Sequence, residues 1–283
     1  MIELNTILNL KEKLPAVFPE EWKPVLTDNL DNISFRSLSQ FKVLMSKLKL
    51  SEWGDSECDC NYKQAVKDLV QGNSNINGKR CDEIRDEVRS KLRKRGLITD
   101  LVYENYRYSD SGVIVDYDVG KYAAGEPDCV ITPNVQYVGF FYELYINVSY
   151  PYTVPDELIK DNIAKVLAAV EELERQHIQI KITLVIALRG HKSSDPDKHV
   201  LISVPVFNHY EHKTVPIMAS VLNERFLRKF CFAIEENIYK DDLSKGYGIP
   251  IVLPNTVNIA EKYMDAVDLF EQIYKAVGAD NVY

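Results

Sequence analysis

Aromatic side chains in an alternating segment are the residues of this chain best suited to bind a partner. In 137–150 the even positions are apolar, and the odd positions should face water because strand side chains alternate between two faces. Phe141 and Tyr145 place rings on that nominally polar face. Such rings either lie beneath another element or stack on a partner, and nucleobases stack on rings with little regard to sequence. The candidate stacking residues are Tyr106, Tyr108, Tyr122, Phe141 and Tyr145, with Arg107 and Lys121 between them.

A basic segment nearer the amino terminus could supply phosphate contacts. The spacing of its apolar residues predicts a helix over 79–95, and eight of its side chains are cationic: Lys79, Arg80, Arg85, Arg89, Lys91, Arg93, Lys94 and Arg95. An earlier predicted helix, 34–50, adds Lys42, Lys47 and Lys49. Cations at a helix carboxyl end also suit the helix dipole, so a purely solvated, structural face is the alternative.

Catalytic and metal-binding signatures are weak by comparison. Histidines 191, 199, 209 and 212 fall within 22 residues, but a predicted strand of roughly 26 Å separates them into two pairs, and zinc ligands must converge on one ion. Asp128 and Glu143 could begin a Mg²⁺-dependent nuclease pattern, yet Tyr145 stands where its lysine belongs. The sequence therefore predicts no catalytic residue, no metal site and no cofactor. A metal-dependent nucleic-acid enzyme using Asp128, Glu143 or the 191–199 loop is the first alternative.

Composition and charge narrow the class of protein. The chain has 283 residues and a net charge of −8. Residues 1–96 hold 17 Lys and Arg against 15 Asp and Glu, whereas 97–283 hold 17 against 27. No apolar run approaches the roughly 20 residues of a membrane span, and the amino terminus lacks the features of a signal peptide. With five cysteines and no CxxC spacing, we expect reduced thiols, a cytoplasmic location and no membrane contact.

The order of predicted elements indicates an α+β fold. The helical residues 1–96 are followed in 97–283 by strands, a helix over 155–176, a hairpin over 179–207 and further helices. We expect a helical N-terminal third followed by a mixed, mostly antiparallel sheet covered by helices. The two segments form two domains or one continuous domain.

One block carries a family resemblance. The stretch DYDVGKYAAGEPDCV at 116–130 resembles a segment of tailed-phage proteins, with Gly120, Gly125 and Pro127 shaping a turn before a strand. The whole chain is similar to the Drc family, the early single-stranded-DNA-binding transcription regulators of phages that package their own RNA polymerase. The resemblance implies cooperative, largely sequence-independent binding of single-stranded DNA, and cooperation with a phage RNA polymerase in the host cytoplasm. It assigns no role to individual residues.

The sequence thus predicts a non-enzymatic single-stranded DNA-binding protein that regulates phage transcription. Cations of the first third would contact phosphates, rings of the sheet would stack on bases, and self-association along the strand would give cooperativity. A second alternative is an acidic phage protein that captures a host factor, since an acidic surface can imitate nucleic acid.

Overall fold

The computed structural model describes residues 19–26, 30–49, 61–71, 78–98, 106–109, 116–125, 129–133, 140–211, 213, 221–222, 226–239, 242–244 and 246–278. For 78–81, 106–109, 116–117, 131–133 and 226–228 it describes the backbone alone.

Strands and helices in these residues form an α+β protein, as predicted. The strands are β1 Leu30–Ser34, β2 Tyr106–Ser109, β3 Asp116–Tyr117, β4 Val130–Pro133, β5 Phe140–Asn147, β6 Ile178–Arg189, β7 His199–Phe207, β8 Ile249–Pro250 and β9 Val257–Asn258. The α-helices are α1 Leu38–Met45, α2 Tyr62–Gln71, α3 Gly78–Lys94, α4 Val119–Ala123, α5 Asp156–Arg175, α6 Phe232–Tyr239 and α7 Ala266–Ala276. A 3-10 turn, Glu20–Trp22, precedes β1, and a π-helix, Phe226–Cys231, leads into α6.

The main sheet has six strands in the order β1-β7-β6-β5-β9, with β8 paired to the end of β6. The β6–β7 hairpin is antiparallel as expected, but β1–β7, β5–β6 and β5–β9 are parallel. Three of the five pairings are therefore parallel, which corrects the expectation of a mostly antiparallel sheet. Long connections cause this difference, because parallel neighbours need a crossover and α5 supplies it between β5 and β6. A separate antiparallel sheet has the order β2-β4-β3.

The N-terminal third is not purely helical in its described part. It contains α1, α2 and α3, but β1 precedes them and joins the main sheet as an edge strand. The sequence of β1, Leu-Asp-Asn-Ile-Ser, has no clear alternation of apolar residues. Its register places Ser34 opposite Ser203, 169 positions away, where the two hydroxyls lie 2.9 Å apart. Pairing with a distant strand, not local propensity, makes this segment a strand.

Two faces of the main sheet are covered differently. The buried side chains of one face, including Leu144 and Ile182, pack with α3, α5 and α7 in one large hydrophobic cluster. That cluster contains Leu92 of α3 as well as Ile163 of α5, so the two predicted segments share a core. The other face carries a smaller cluster, in which Trp22 packs over part of the sheet. Among the described residues, no helix combines the length and apolar content that crossing a bilayer requires.

Candidate nucleic-acid interface

The two rings predicted on the outer face of β5 have different surroundings. Leu144 and Ile146 are buried as the sequence predicts, but Asn147, at a predicted water-facing position, is also fully buried. Phe141 is 51% exposed. Tyr145 is half-buried because Trp22 packs edge-on against it at a ring separation of 4.9 Å. This burial, together with the nearby Glu143 carboxylate, raises the pKa of Tyr145. Of the two rings, Phe141 is the one available to a partner.

Phe141 belongs to a cluster of three rings that the sequence prediction did not include. The His209 ring packs edge-on against it at 5.1 Å, and the Tyr210 ring does the same at 5.8 Å with an interplanar angle of 71°. Tyr210 is 80% exposed. Both residues lie in the turn that follows β7, directly after the predicted strand 199–207. The sequence shows two adjacent aromatic residues, His209 and Tyr210, after the predicted strand. It does not show that the sheet places them beside Phe141 of β5.

The turn that presents these rings, 208–211, is held by several hydrogen bonds. The Asn208 amide donates to Glu211 Oε2 at 2.7 Å. His209 Nδ1 donates to the Gln179 carbonyl at 3.1 Å, because a carbonyl oxygen can only accept. These hydrogen bonds hold the backbone that carries Tyr210.

The buried side chain of Lys213 stabilises the same turn. Its side chain is 3% exposed, and its Nζ donates to the carbonyls of Asn208, His209 and Glu211 at 3.3, 3.3 and 3.0 Å. Its ammonium also pairs with Glu174 of α5 at 2.5 Å. Lys213 therefore connects the turn that carries Tyr210 to α5.

A groove of about 400 Å³ lies beside the turn. One wall is the start of α1 and the other is the end of β7 with the turn; the lining residues are Arg36, Ser37, Leu38, Ser39, Pro205, Val206, Phe207, Asn208 and Glu211. Ser37 caps α1 by accepting a hydrogen bond from the Gln40 amide at 3.2 Å. Arg36 is exposed, and in the described ranges its guanidinium contacts no carboxylate. The groove thus joins an unpaired cation to the aromatic turn.

The remaining predicted stacking residues do not join this cluster in the described structure. Tyr122 is 68% exposed on α4, whose N-cap is Asp118, and Lys121 lies on the same short helix. Tyr106, Arg107 and Tyr108 form part of β2, and their side chains lie outside the described residues.

The cations of α3 that face α5 are paired with carboxylates. Arg89 Nε and Nη2 both donate to Glu172 Oε1, at 3.0 and 2.6 Å, and Glu172 is 1% exposed. Arg85 Nη2 lies 3.0 Å from Asp82 Oδ1 and its Nη1 lies 3.8 Å from Glu171 Oε2. These two arginines fasten α3 to α5.

Pairing continues toward the carboxyl end of α3. Lys91 Nζ lies 2.8 Å from Glu87 on the same helix, and this bond raises the pKa of Lys91. Arg95 donates to Glu271 of α7. The sequence indicated the Glu87–Lys91 spacing, but the partners on α5 and α7 are more than 80 positions away and could not be read from it.

The remaining predicted cations of α3 are Lys79, Arg80, Arg93 and Lys94. Arg93 and Lys94 are exposed. Lys79 and Arg80 belong to the first turn of the helix, and their side chains lie outside the described residues.

Cations of α1 and α2 differ from Arg85, Arg89, Lys91 and Arg95 because no carboxylate pairs with them in the part of the chain that the structure describes. On and after α1 these are the predicted Lys42, Lys47 and Lys49, and on α2 they are Lys63 and Lys67, which the sequence prediction did not include. Partial burial lowers the pKa of Lys42. Among the described side chains, α1 and α2 with the residues just after α1 therefore carry five cations that are not paired with a carboxylate.

A second polar cluster lies at the opposite end of β7. Asp31 accepts a hydrogen bond from Tyr239 at 2.8 Å, and the ammonium groups of Lys192 and Lys198 lie 3.4 and 3.3 Å from its carboxylate. His191 is fully buried beside it, with Nε2 at 3.9 Å from Asp31, and no described residue forms a hydrogen bond with either ring nitrogen. This ion-pair network ties β1 to the β6–β7 hairpin and α6.

Those residues of the enzymatic alternative that the structure describes do not assemble into a catalytic centre. Glu143 pairs with Lys181 at 2.7 Å and accepts a hydrogen bond from Thr183. Asp128 and His212 lie outside the described residues. Within the residues that are described, no three His, Cys, Asp or Glu side chains come together as a metal-binding group would require.

The fold and this site define an α+β protein with an exposed aromatic turn beside a groove. The chain belongs to the family of a domain of unknown function, DUF7192, whose model matches residues 24–279. No curated protein and no solved structure matches it.

Proposed function

We propose that this protein binds single-stranded DNA through the aromatic turn and its adjoining groove, without catalysing a reaction on it. The observation that carries the proposal is the exposed ring pair Phe141 and Tyr210, held on a fixed turn beside the unpaired Arg36. Exposed rings with a nearby cation are the elements from which single-strand-binding surfaces are built.

The angle between the two rings favours unpaired bases over a duplex. Phe141 and Tyr210 meet at 71°, so two bases lying flat on them cannot remain parallel to each other. Bases in a duplex are stacked in parallel, whereas a single strand can turn successive bases apart. Stacking on either ring contributes roughly 1–3 kcal/mol and is tolerant of sequence.

The proposal also includes a role in transcription. Regulation of a phage RNA polymerase, self-association along the strand and a host-cytoplasmic location rest on the resemblance of the whole chain to the Drc family. They require binding of an unpaired strand first, so the binding experiment comes before any transcription assay.

Fluorescence anisotropy with labelled oligothymidine tests the proposal. We use an oligonucleotide of about 20 nucleotides, longer than the roughly 4–16 that one single-strand-binding module covers, and a duplex of equal length. We expect tighter binding to the single strand and a loss of about 5- to 150-fold in affinity for Tyr210→Ala and for Phe141→Ala, which corresponds to one stacking contact.

Tyr263→Ala is the matched control, since Tyr263 is also 80% exposed but lies in the turn after β9. It should leave the affinity unchanged. Equal affinity for single strand and duplex would overturn the proposal, as would equal losses in the Tyr210 and Tyr263 variants. Cleavage of the oligonucleotide in the presence of Mg²⁺ would favour the enzymatic alternative.

A further inference from the structure

We propose that the phosphates of the bound strand follow α1 and α2, and not the basic helix α3. This inference rests on the proposed function and specifies the partner of one surface, which we call the α1–α2 face and define by Arg36, Lys42, Lys47, Lys49, Lys63 and Lys67. Its occupant is the polyanionic backbone of the same strand whose bases stack on the aromatic turn.

The positive charges of the α1–α2 face are available to a phosphate. None of its six cations pairs with a carboxylate in the described part of the chain. The one acid on these two helices, Asp68, accepts a hydrogen bond from Gln64 at 2.8 Å. A cation without a protein partner can neutralise a phosphate, and each phosphate neutralised releases counterions that were condensed on the DNA.

The α1–α2 face is continuous with the groove beside the aromatic turn. Ser39 lines the groove, and Lys42 lies three positions further on the same side of α1. The Tyr62 hydroxyl donates to the Met45 carbonyl at 2.9 Å, which fastens the start of α2 to the end of α1. The face therefore begins at the groove, runs about 12 Å along α1, and passes directly to α2.

Spacing on α2 extends this path. Lys63 and Lys67 are four positions apart and exposed, so they stand one above the other on a single side of the helix. Ala65 and Leu69 are buried on the other side, which holds both ammonium groups toward solvent.

Four cations on or just after α3 are less available to a phosphate. Arg85, Arg89, Lys91 and Arg95 already contact carboxylates. A phosphate that bound them would have to replace an existing partner, so the net gain in binding free energy would be small. The helix with the most cations is thus the poorer phosphate site.

Two double variants with the same charge change and the same spacing test the inference. Lys63→Gln with Lys67→Gln removes two unpaired cations from α2, and Lys91→Gln with Arg95→Gln removes two paired cations from α3. Both pairs are i,i+4, and both lower the net charge by two, so any general effect of charge is equal. The measurement is the slope of log Kobs against log salt concentration for oligothymidine.

We expect the slope to become shallower by about 0.7 for each lost phosphate contact, or roughly 1.4 in the α2 variant. The α3 variant should keep the slope of the original protein. An equal decrease in both variants, or a decrease confined to α3, overturns the inference.

These outcomes are distinct from failure of the proposed function. If the unaltered protein binds the oligonucleotide and loses affinity with Tyr210→Ala, the function stands and the slopes alone decide the phosphate path. If the unaltered protein does not bind the oligonucleotide, both the proposed function and the proposed phosphate path are refuted.

Discussion

Replacing Arg89 should reveal whether α3 serves stability or binding. Arg89 holds the Glu172 carboxylate with two donors at 3.0 and 2.6 Å, and Glu172 is 1% exposed. Removing one partner of a buried ion pair leaves an uncompensated charge and costs about 3–5 kcal/mol. We expect the lower end, about 3 kcal/mol, because Arg175 Nε remains 3.8 Å from Glu172 and the Arg89 side chain is itself 22% exposed.

Urea and thermal denaturation of Arg89→Met measure this cost. For a chain of this size we expect the melting temperature to fall by roughly 6–12 °C. Adding Glu172→Met should restore most of the loss, because apolar side chains that fill a buried pair's place are often neutral. Lys160→Met is the surface control, since its pair with Glu157 is exposed and should contribute less than about 1 kcal/mol.

Oligonucleotide affinity of the same variant completes the assay. Measured well below its unfolding transition, Arg89→Met should bind single-stranded DNA as the unaltered protein does. A variant that keeps its stability but loses affinity tenfold or more would refute the reasoning, because Arg89 would then contact the strand and not Glu172.

Two further predictions concern buried ionisable groups. Glu235 is fully buried, its carboxylate has no hydrogen-bond partner among the described residues, and burial raises its pKa well above the ordinary 4.5. The native state therefore keeps a proton that the unfolded chain releases above that value, so stability should fall as pH rises, by up to about 1.4 kcal/mol per unit. Glu235→Gln should flatten this slope in urea titrations between about pH 5 and pH 8, and an unchanged slope would assign it to another group. Lys213→Met should speed hydrogen exchange of the 208–211 amides and weaken oligonucleotide binding, whereas Lys213→Arg should retain part of both; unchanged exchange would show that Lys213 does not support the turn.

The carboxyl-terminal turn of α5 contacts both the basic helix α3 and Lys213, which supports the aromatic turn. Glu172 faces the arginines of α3, and Glu174 faces Lys213 under the aromatic turn. Residues two apart on a helix point in directions about 200° apart. The basic helix and the aromatic turn are therefore anchored on different sides of α5.

Local periodicity determined much of this protein from the sequence alone. Alternation in 137–150 predicts which residues of β5 face the core, and it places Phe141 and Tyr145 on the other side. Helical spacing predicts α3 and α5, and the two apolar runs that follow predict the β6–β7 hairpin. These features follow from the sequence because side-chain direction is set by the backbone within a few residues.

Only the tertiary structure decided which of these side chains are free. Trp22 covers Tyr145 across 123 positions, while Phe141 stays open and gains Tyr210 from a turn 69 positions away. Arg89 is paired because α5 brings Glu172 to it, whereas Lys63 and Lys67 receive no such partner among the described residues. Burial and ion pairing depend on segments that meet through packing, and no pattern within one segment records which neighbour it will meet.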